Sequence, residues 1–257
     1  MAVQDPRLSI GSVTGARAGA PAIDQGLRAF MLAVYNHMTI GVALTAFAAL
    51  GTFMLATGST DGSLATLTPL GRAIYLSPLK FVVIFAPFAL VLWMSFGAGK
   101  MSAATARTLF YIYSATVGIS LSAIFLVYAH GSIARVFFVT AATFGALSLY
   151  GYTTQRSLSG MGSFLMMGLF GLIIASLVNI FLASSALQFA ISAIGVLIFA
   201  GLTAYDTQKL KEMYLYELGT PDSEVAAKAS IFGALTLYLD FINMFQFLLS
   251  LMGNRNE

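Results

Sequence analysis

The chain has 257 residues, of which 58% are hydrophobic and only 9% are charged, and its formal net charge is +3. Soluble domains carry about 25% charged residues, so this composition excludes both an ordinary soluble domain and a disordered chain. The sequence contains no cysteine, which excludes disulfides, thiolate metal sites and thiol nucleophiles. We therefore expect an all-α polytopic membrane protein.

Seven stretches of the sequence meet or approach the length of a membrane-spanning helix, which needs about 20 mostly apolar residues. Continuous apolar runs of this kind disfavour a membrane β-barrel, whose strands show short alternating segments. The fourth stretch is the least regular of them because Arg135 lies near its start. In chain order, the predicted spans are Phe30–Ala56, Leu79–Phe96, Leu109–Tyr128, Ile133–Tyr150, Phe164–Leu182, Leu187–Tyr205 and Ile231–Met252.

The sequence divides into a tail and a membrane domain. Residues 1–27 are polar and small without helical periodicity, so we expect a mobile tail, and residues 28–257 form the seven-helix domain. The apolar stretch behind the tail is too long for a secretory signal. Cytoplasmic loops retain Lys and Arg, and nine of the 13 basic residues lie on the membrane side of the N-terminus. This distribution predicts a cytoplasmic N-terminus and an external C-terminus.

Two aspartates stand out among the apolar runs. Asp240 is the only acidic residue well inside a predicted span, and Asp206 directly follows the sixth span. A charge at the bilayer centre costs at least about 2.5–3.5 kcal/mol, so its retention indicates a role or a partner. Thr236, Asp240 and Asn243 share one helical stripe, and the two carboxylates are predicted to face each other at similar depth. In one interpretation these side chains line an ion pathway, and the two carboxylates are metal ligands. In the alternative, Asp206 is an interfacial residue and Asp240 is a structural hydrogen-bond partner.

Four further polar residues are candidates for a functional role, and each also has a simpler structural explanation. His37 could sense pH, although a single histidine near a helix start is more often a packing residue. Asn179 is expected to form an interhelical hydrogen bond. Arg107 and Lys100, beside the cytoplasmic start of the third span, are either anchors of the positive-inside type or counter-ions of the acidic pair.

The amino-acid sequences of both aspartate-bearing segments are similar to those of a known family. Residues 201–211 and 233–245 resemble the sixth- and seventh-helix signatures of the BAX inhibitor-1 (TMBIM) family, and residues 150–156 and 36–41 look like its bacterial inner-membrane branch, labelled YccA/YbhL. The segments read, in that order, GLTAYDTQKLK, GALTLYLDFINMF, YGYTTQR and NHMTIG. The resemblance extends from about residue 28 to the end of the chain.

The resemblance implies a seven-helix fold with the last helix central and a pH-sensitive calcium leak through the inner membrane. It further implies that Asp206 and Asp240 share a proton. An arginine near the end of the second helix locks the closed state in this family, but the second span here ends in Trp93-Met94-Ser95-Phe96-Gly97. Lys100 or Arg107 would then have to replace it. Other members are described as cell-death suppressors or as modulators of a membrane protease.

Enzymatic alternatives find less support in the residues. An intramembrane aspartyl protease would use two membrane aspartates, and Tyr205-Asp206 matches half of such a signature, but Asp240 lacks the preceding Gly-x-Gly. The His-Glu-x-x-His motif of metalloproteases is missing, as is any nucleic-acid motif. We therefore expect a non-enzymatic protein without a cofactor in the lipid bilayer, and the resemblance implies Ca²⁺ as the transported ion. The alternative is a non-transporting modulator of a membrane protease.

Overall fold

Long helices make up nearly the whole of the described chain. The structure is a computed structural model that describes residues 20–59, 66–218 and 223–256. Within these ranges a π-helical turn, Met213–Leu218, continues α8, and the only β-type pairing is an isolated bridge between Tyr128 and Arg255. The α-helices are α1 (Ala20–Thr57), α2 (Pro69–Tyr75), α3 (Leu79–Gly97), α4 (Ala103–Leu121), α5 (Ile124–Val127), α6 (His130–Thr153), α7 (Ser159–Leu182), α8 (Ser185–Glu212) and α9 (Ser223–Met252).

In the described part of the chain, seven helical segments are long and apolar enough to cross a membrane, and they confirm the predicted all-α polytopic fold. The spans are α1, α3, α4 with α5, α6, α7, α8 with its π-helical turn, and α9. The sixth and seventh predicted spans are therefore α8 and α9. The fourth prediction is also confirmed, because α6 starts at His130, and Arg135 lies exposed in its second turn.

Several helices extend beyond the apolar runs that predicted them. α1 begins at Ala20, within the predicted tail, whereas residues 1–19 lie outside the described residues. α8 continues past Tyr205 to Glu212, and α9 starts well before Ile231. Residues such as Gln, Lys, Leu and Glu favour helix as strongly as apolar residues do, so a helix does not end where hydropathy falls. Asp240 consequently lies near the middle of α9.

The last helix, α9, is the centre of the bundle, as predicted. It packs against α1, α4, α6 and α8. Within its apolar stretch 56% of the residues are buried, whereas the values for the other six spans lie between 6% and 39%. Phe110 and Tyr113 of α4 pack edge-on against Tyr238, which is fully buried. A helix surrounded by protein on most sides can carry polar groups that a lipid-facing helix could not.

A glycine fixes how closely α8 approaches α6. A Cβ atom added at Gly151 of α6 would collide with the backbone carbonyl of Ala204 in α8. Small residues allow such backbone contact between membrane helices, where dispersion attraction rather than the hydrophobic effect holds helices together. The contact lies two residues before Asp206, so it fixes the position of the aspartate-bearing turn.

Candidate functional site

The structure brings Asp206 of α8 and Asp240 of α9 together. Their carboxyl groups lie close enough to interact directly with each other. The two helices are antiparallel neighbours that pack along much of their length. Asp206 lies in the last third of α8 and Asp240 near the middle of α9. Because the two helices run in opposite directions, these positions lie at similar depth.

The environment of Asp240 does little to offset the cost of burying a charged carboxylate. Its side chain is only 4% exposed, and its Oδ2 atom has no hydrogen-bond donor among the described residues. A buried carboxylate that lacks donors is costly, and a second carboxylate beside it adds repulsion. Contact between two carboxyl groups is favourable only when one of them carries a proton that the other can accept. The geometry therefore fits a pair that holds one proton between them.

Among the described residues, Lys209 is the basic residue whose charge acts on Asp206. It lies one turn after Asp206 on α8, and its charge interacts with that carboxylate. The side chain is exposed, and its Nζ lies 6.0 Å from the centroid of the Tyr205 ring. No salt bridge links Lys209 to either aspartate within the described ranges. The cation is near enough to favour an ionised Asp206 but does not neutralise it.

A cavity of about 530 Å³ lies beside the acidic pair, between α7, α8 and α9. Its walls are mostly apolar, with side chains such as Leu172 and Phe247. The polar groups in the lining are Ser176, Thr236, Asn243 and both aspartates. A cavity with few convergent polar groups is the usual form of a binding site. Here those groups meet at the point where α8 and α9 present their carboxylates.

The cavity offers oxygen atoms to a cation, but only a few of them. The amide nitrogen of Asn243 donates to the carbonyl of Leu239 at 2.8 Å, and the amide oxygen accepts no bond from another described residue. Ca²⁺ takes six to eight oxygen ligands. Two carboxylates, one amide oxygen and the Thr236 hydroxyl are four ligands if each binds through one oxygen, so about two to four positions of that shell are left to water. Among the described residues no group of three or more His, Cys, Asp or Glu side chains could hold a metal ion. The donor set therefore suits a hydrated, transiently bound ion.

The structure does not place Arg107 or Lys100 at the acidic pair. Arg107 is exposed on α4, and its charge acts on His37 and Tyr111, whose Nδ1 and hydroxyl atoms lie 2.8 Å apart. Lys100 is exposed in the turn between α3 and α4. Contact of either with the aspartates in another state of the protein stays a prediction.

Asn179 forms an interhelical contact of the kind expected. Its side-chain nitrogen donates to Oε1 of Gln188 in α8 at 3.1 Å, and its Oδ1 accepts from the backbone of Ser184 at 3.1 Å. These bonds close the tight turn between α7 and α8, where Ala183 has a φ of 47°. The residue is therefore accounted for without a role in ion binding.

Sequence reasoning missed the polar side chains that hold α8 in place. The side chain of Gln208, which is buried, accepts from the backbone of Leu158 at 2.7 Å and donates to the carbonyl of Arg156 at 2.8 Å. Lys211 donates to the carbonyl of Tyr152 at 2.8 Å. The only signal in the sequence is that polar residues follow Asp206 closely, and it does not identify their partners. Residues 207–211 of the quoted signature thus anchor the turn between α6 and α7.

A row of hydroxyl groups also joins three helices. The Tyr35 hydroxyl of α1 lies 2.6 Å from the Ser148 hydroxyl of α6, which lies 3.0 Å from the hydroxyl of Thr207 in α8. Thr207 in turn donates to the carbonyl of Thr203 at 2.7 Å. Because Thr207 follows Asp206 directly, this row connects the aspartate-bearing turn with α1.

Comparison with known proteins agrees with this architecture. The family described as "Inhibitor of apoptosis-promoting Bax1" matches residues 27–257. The chain is 48% identical over 230 residues to inner membrane protein YbhL of Escherichia coli (strain K12), which covers 90% of this chain and 93% of that protein. It is 47% identical over 234 residues to protein RP147 of Rickettsia prowazekii, covering 91% and 93% of the two chains. A protein of Caulobacter vibrioides is 48% identical over 238 residues, or 92% of each chain.

Proposed function

The chain belongs to the family described as inhibitors of apoptosis-promoting Bax1, and on that premise we propose that it is a pH-sensitive calcium leak of the inner membrane. The family is one of membrane proteins rather than a known enzyme family. The gate is the pair formed by Asp206 and Asp240. The observation that carries this proposal is the contact of two carboxyl groups, one of them buried without a donor, at the wall of a cavity.

The gate works through the proton that the two carboxyl groups share. With the proton present, the pair carries one negative charge and a hydrogen bond holds α8 against α9. After its loss, two unit charges about 4 Å apart repel by about 4 kcal/mol at an effective dielectric constant of about 20. That energy favours separation of the two helices or the capture of a cation between them. Both outcomes open a path for Ca²⁺.

The transported ion is held by oxygen atoms and water. The carboxylates of Asp206 and Asp240 supply the charge, and the Asn243 amide oxygen and the Thr236 hydroxyl supply neutral ligands in the same cavity. Selective channels instead surround the ion with complete rings of ligands. The sparse donor set therefore favours a slow leak rather than a fast channel.

Reconstitution of the purified protein into liposomes tests the proposal directly. Ca²⁺ entry is followed with an encapsulated dye over about pH 5–8, for the unaltered chain and for Asp206→Asn, Asp240→Asn and the double variant. Glu217→Gln is the matched control, because it removes one carboxylate from an exposed position outside the cavity. Each single variant should abolish or strongly shift the pH response, and the double variant should add little to either.

The pattern of the double variant separates a shared proton from two independent groups. Residues that act as one unit give non-additive effects, whereas independent residues give additive ones. Additive effects of the two substitutions would contradict the shared-proton gate. Absence of any flux from the pure protein would contradict the leak itself and favour the alternative, a non-transporting modulator of a membrane-bound protease. Cleavage of a reporter peptide would instead favour the aspartyl protease.

A further inference from the structure

A second and larger cavity lies on the other side of the central helix. It has a volume of about 850 Å³ and runs between α1 and α6, with Phe241 of α9 in its lining. Phe241 follows Asp240 in sequence, so the two side chains point to different cavities. α1 and α6 both pack against α9, and the cavity fills the space between them. It is therefore separate from the cavity that the acidic pair lines.

This cavity is a slot that opens sideways, toward the lipid. Met31 and Phe144 are buried in its lining, whereas Leu32 and Leu149 on its rims are 52% and 62% exposed. The Tyr35–Ser148 hydrogen bond of 2.6 Å ties α1 to α6 within the lining and limits the width of the slot. An apolar slot of this kind, open along a membrane helix pair, admits a chain that lies parallel to the helices.

The length of the slot matches a lipid acyl chain. It extends along α1 from Arg28 to Val42, a rise of about 21 Å at 1.5 Å per residue. One leaflet contributes about half of the hydrocarbon core of roughly 30 Å. The slot therefore reaches from the level of the headgroups past the depth of one leaflet. Its volume also falls in the range of about 300–1,000 Å³ that is typical of small-molecule sites.

The charged end of the slot identifies the type of headgroup. Arg28 lines the slot at its end near the N-terminus of α1, is exposed, and forms no salt bridge within the described parts of the chain. Lys211 lies outside the lining but contacts Tyr152, a lining residue, with its Nζ 5.6 Å from the Tyr152 ring. Basic pockets between membrane helices on the cytoplasmic side bind anionic headgroups.

We propose that the slot between α1 and α6 binds an anionic phospholipid, with one acyl chain in the slot and its phosphate group on Arg28. The guanidinium group donates paired hydrogen bonds to a phosphate. A phosphatidylcholine headgroup binds less well, because its positive choline offsets the negative charge of its phosphate. The Lys211 ammonium group adds a second positive charge at that end. The bound lipid fills the space between two helices that share α9 as their support.

Brominated lipids and one tryptophan reporter test this proposal. The chain contains a single tryptophan, Trp93 on α3, which does not line the slot. In a Trp93→Phe background, Leu32→Trp places the reporter on the rim. The protein is reconstituted into phosphatidylcholine vesicles with a minor fraction of dibrominated phosphatidylglycerol or, in a parallel sample, dibrominated phosphatidylcholine. The ratio of the two quenching efficiencies gives the relative affinity for the anionic lipid. Effects of the local environment on the tryptophan fluorescence are the same in both samples and cancel in this ratio.

Two sets of variants separate the contact with the lipid headgroup from the contact with its acyl chain. One basic residue near an anionic headgroup is worth about a fivefold preference, so the unaltered slot should prefer the anionic lipid at least about fivefold. Arg28→Gln should lower that ratio about fivefold, because only the charge of Lys211 then remains at that end, and Arg28→Lys should retain most of it. Arg156→Gln is the control for charge, because Arg156 is exposed near the same membrane face but outside the lining.

Gly145→Leu should narrow the slot, because Gly145 lines it and a Cβ added there meets no atom within 4 Å. A blocked slot should bring the ratio close to one. Gly171→Leu is its matched control, since Gly171 is an exposed helical glycine with equally open surroundings that does not line the slot. A ratio near one in the unaltered chain, or a ratio insensitive to Arg28→Gln, would overturn the proposal. Stronger quenching by a brominated free fatty acid than by the phospholipid would also overturn it.

Discussion

The Oε1 atom of Glu224 accepts a hydrogen bond of 2.7 Å from the backbone N–H of Ala103. Ala103 is the first residue of α4, and Glu224 lies in the first turn of α9, so the bond joins the beginnings of two helices that are far apart in sequence. The first N–H groups of a helix have no partner within it, and a negative charge there also offsets the helix dipole. The first turn of the central helix thus supplies a cap to the N-terminus of α4, and this bond fixes the beginnings of the two helices against each other.

Replacement of this cap should lower the stability of the protein. Glu224→Ala removes the acceptor and should cost about 1 kcal/mol, the usual value of a helix N-terminal cap. Glu224→Gln keeps an oxygen in the same position and should lose much less. Thermal unfolding of both variants in detergent measures the difference. Equal losses for the two would show that the charge, rather than the hydrogen bond, is what matters.

Gly151→Ala should separate α6 from α8. The added methyl group collides with the Ala204 backbone, and overpacking of this kind costs about 1–3 kcal/mol. Gly145→Ala on the same helix is the control, because its methyl group enters open space and should stabilise the helix by about 0.5–1 kcal/mol. Melting temperatures of the two variants in detergent should therefore move in opposite directions. A melting temperature unchanged by Gly151→Ala would contradict the close contact.

Lys209→Gln should move the midpoint of the pH-dependent Ca²⁺ flux upward, and only slightly, because the side chain is exposed and screened. A positive charge favours the ionised form of Asp206, so its removal delays loss of the shared proton to higher pH. Arg107→Gln and Lys100→Gln are compared in the same liposomes and should leave the midpoint unchanged. A larger shift from either would reveal a second state in which that residue reaches the acidic pair.

The absence of cysteine makes the predicted orientation easy to test. Ser157→Cys lies in the turn between α6 and α7, and Asn256→Cys lies beyond α9 at the opposite membrane face; both positions are exposed. A membrane-impermeant maleimide should label only the second variant in intact spheroplasts and both after permeabilisation. The reverse pattern would place the N-terminus outside, and labelling of both variants from outside would contradict seven spans.

The membrane spans could be predicted from the sequence because their cause is local. A backbone inside lipid must satisfy its own hydrogen bonds, so each apolar run of sufficient length becomes a helix. The ends of those helices were less predictable. α8 continues to Glu212 and then into a π-helical turn, and α9 begins at Ser223, because helix propensity persists where hydropathy has already fallen.

The sequence by itself determined the seven-helix membrane fold, and it drew attention to Asp206 and Asp240 because a charge is expensive in an apolar run. Only the tertiary structure decided which partners meet. It places Lys209 rather than Arg107 beside the acidic pair, and it joins Glu224 to α4. Contacts between helices depend on how each helix is rotated about its axis and how closely it approaches its neighbours. Hydropathy specifies neither quantity, and close packing of side chains in the folded bundle sets both.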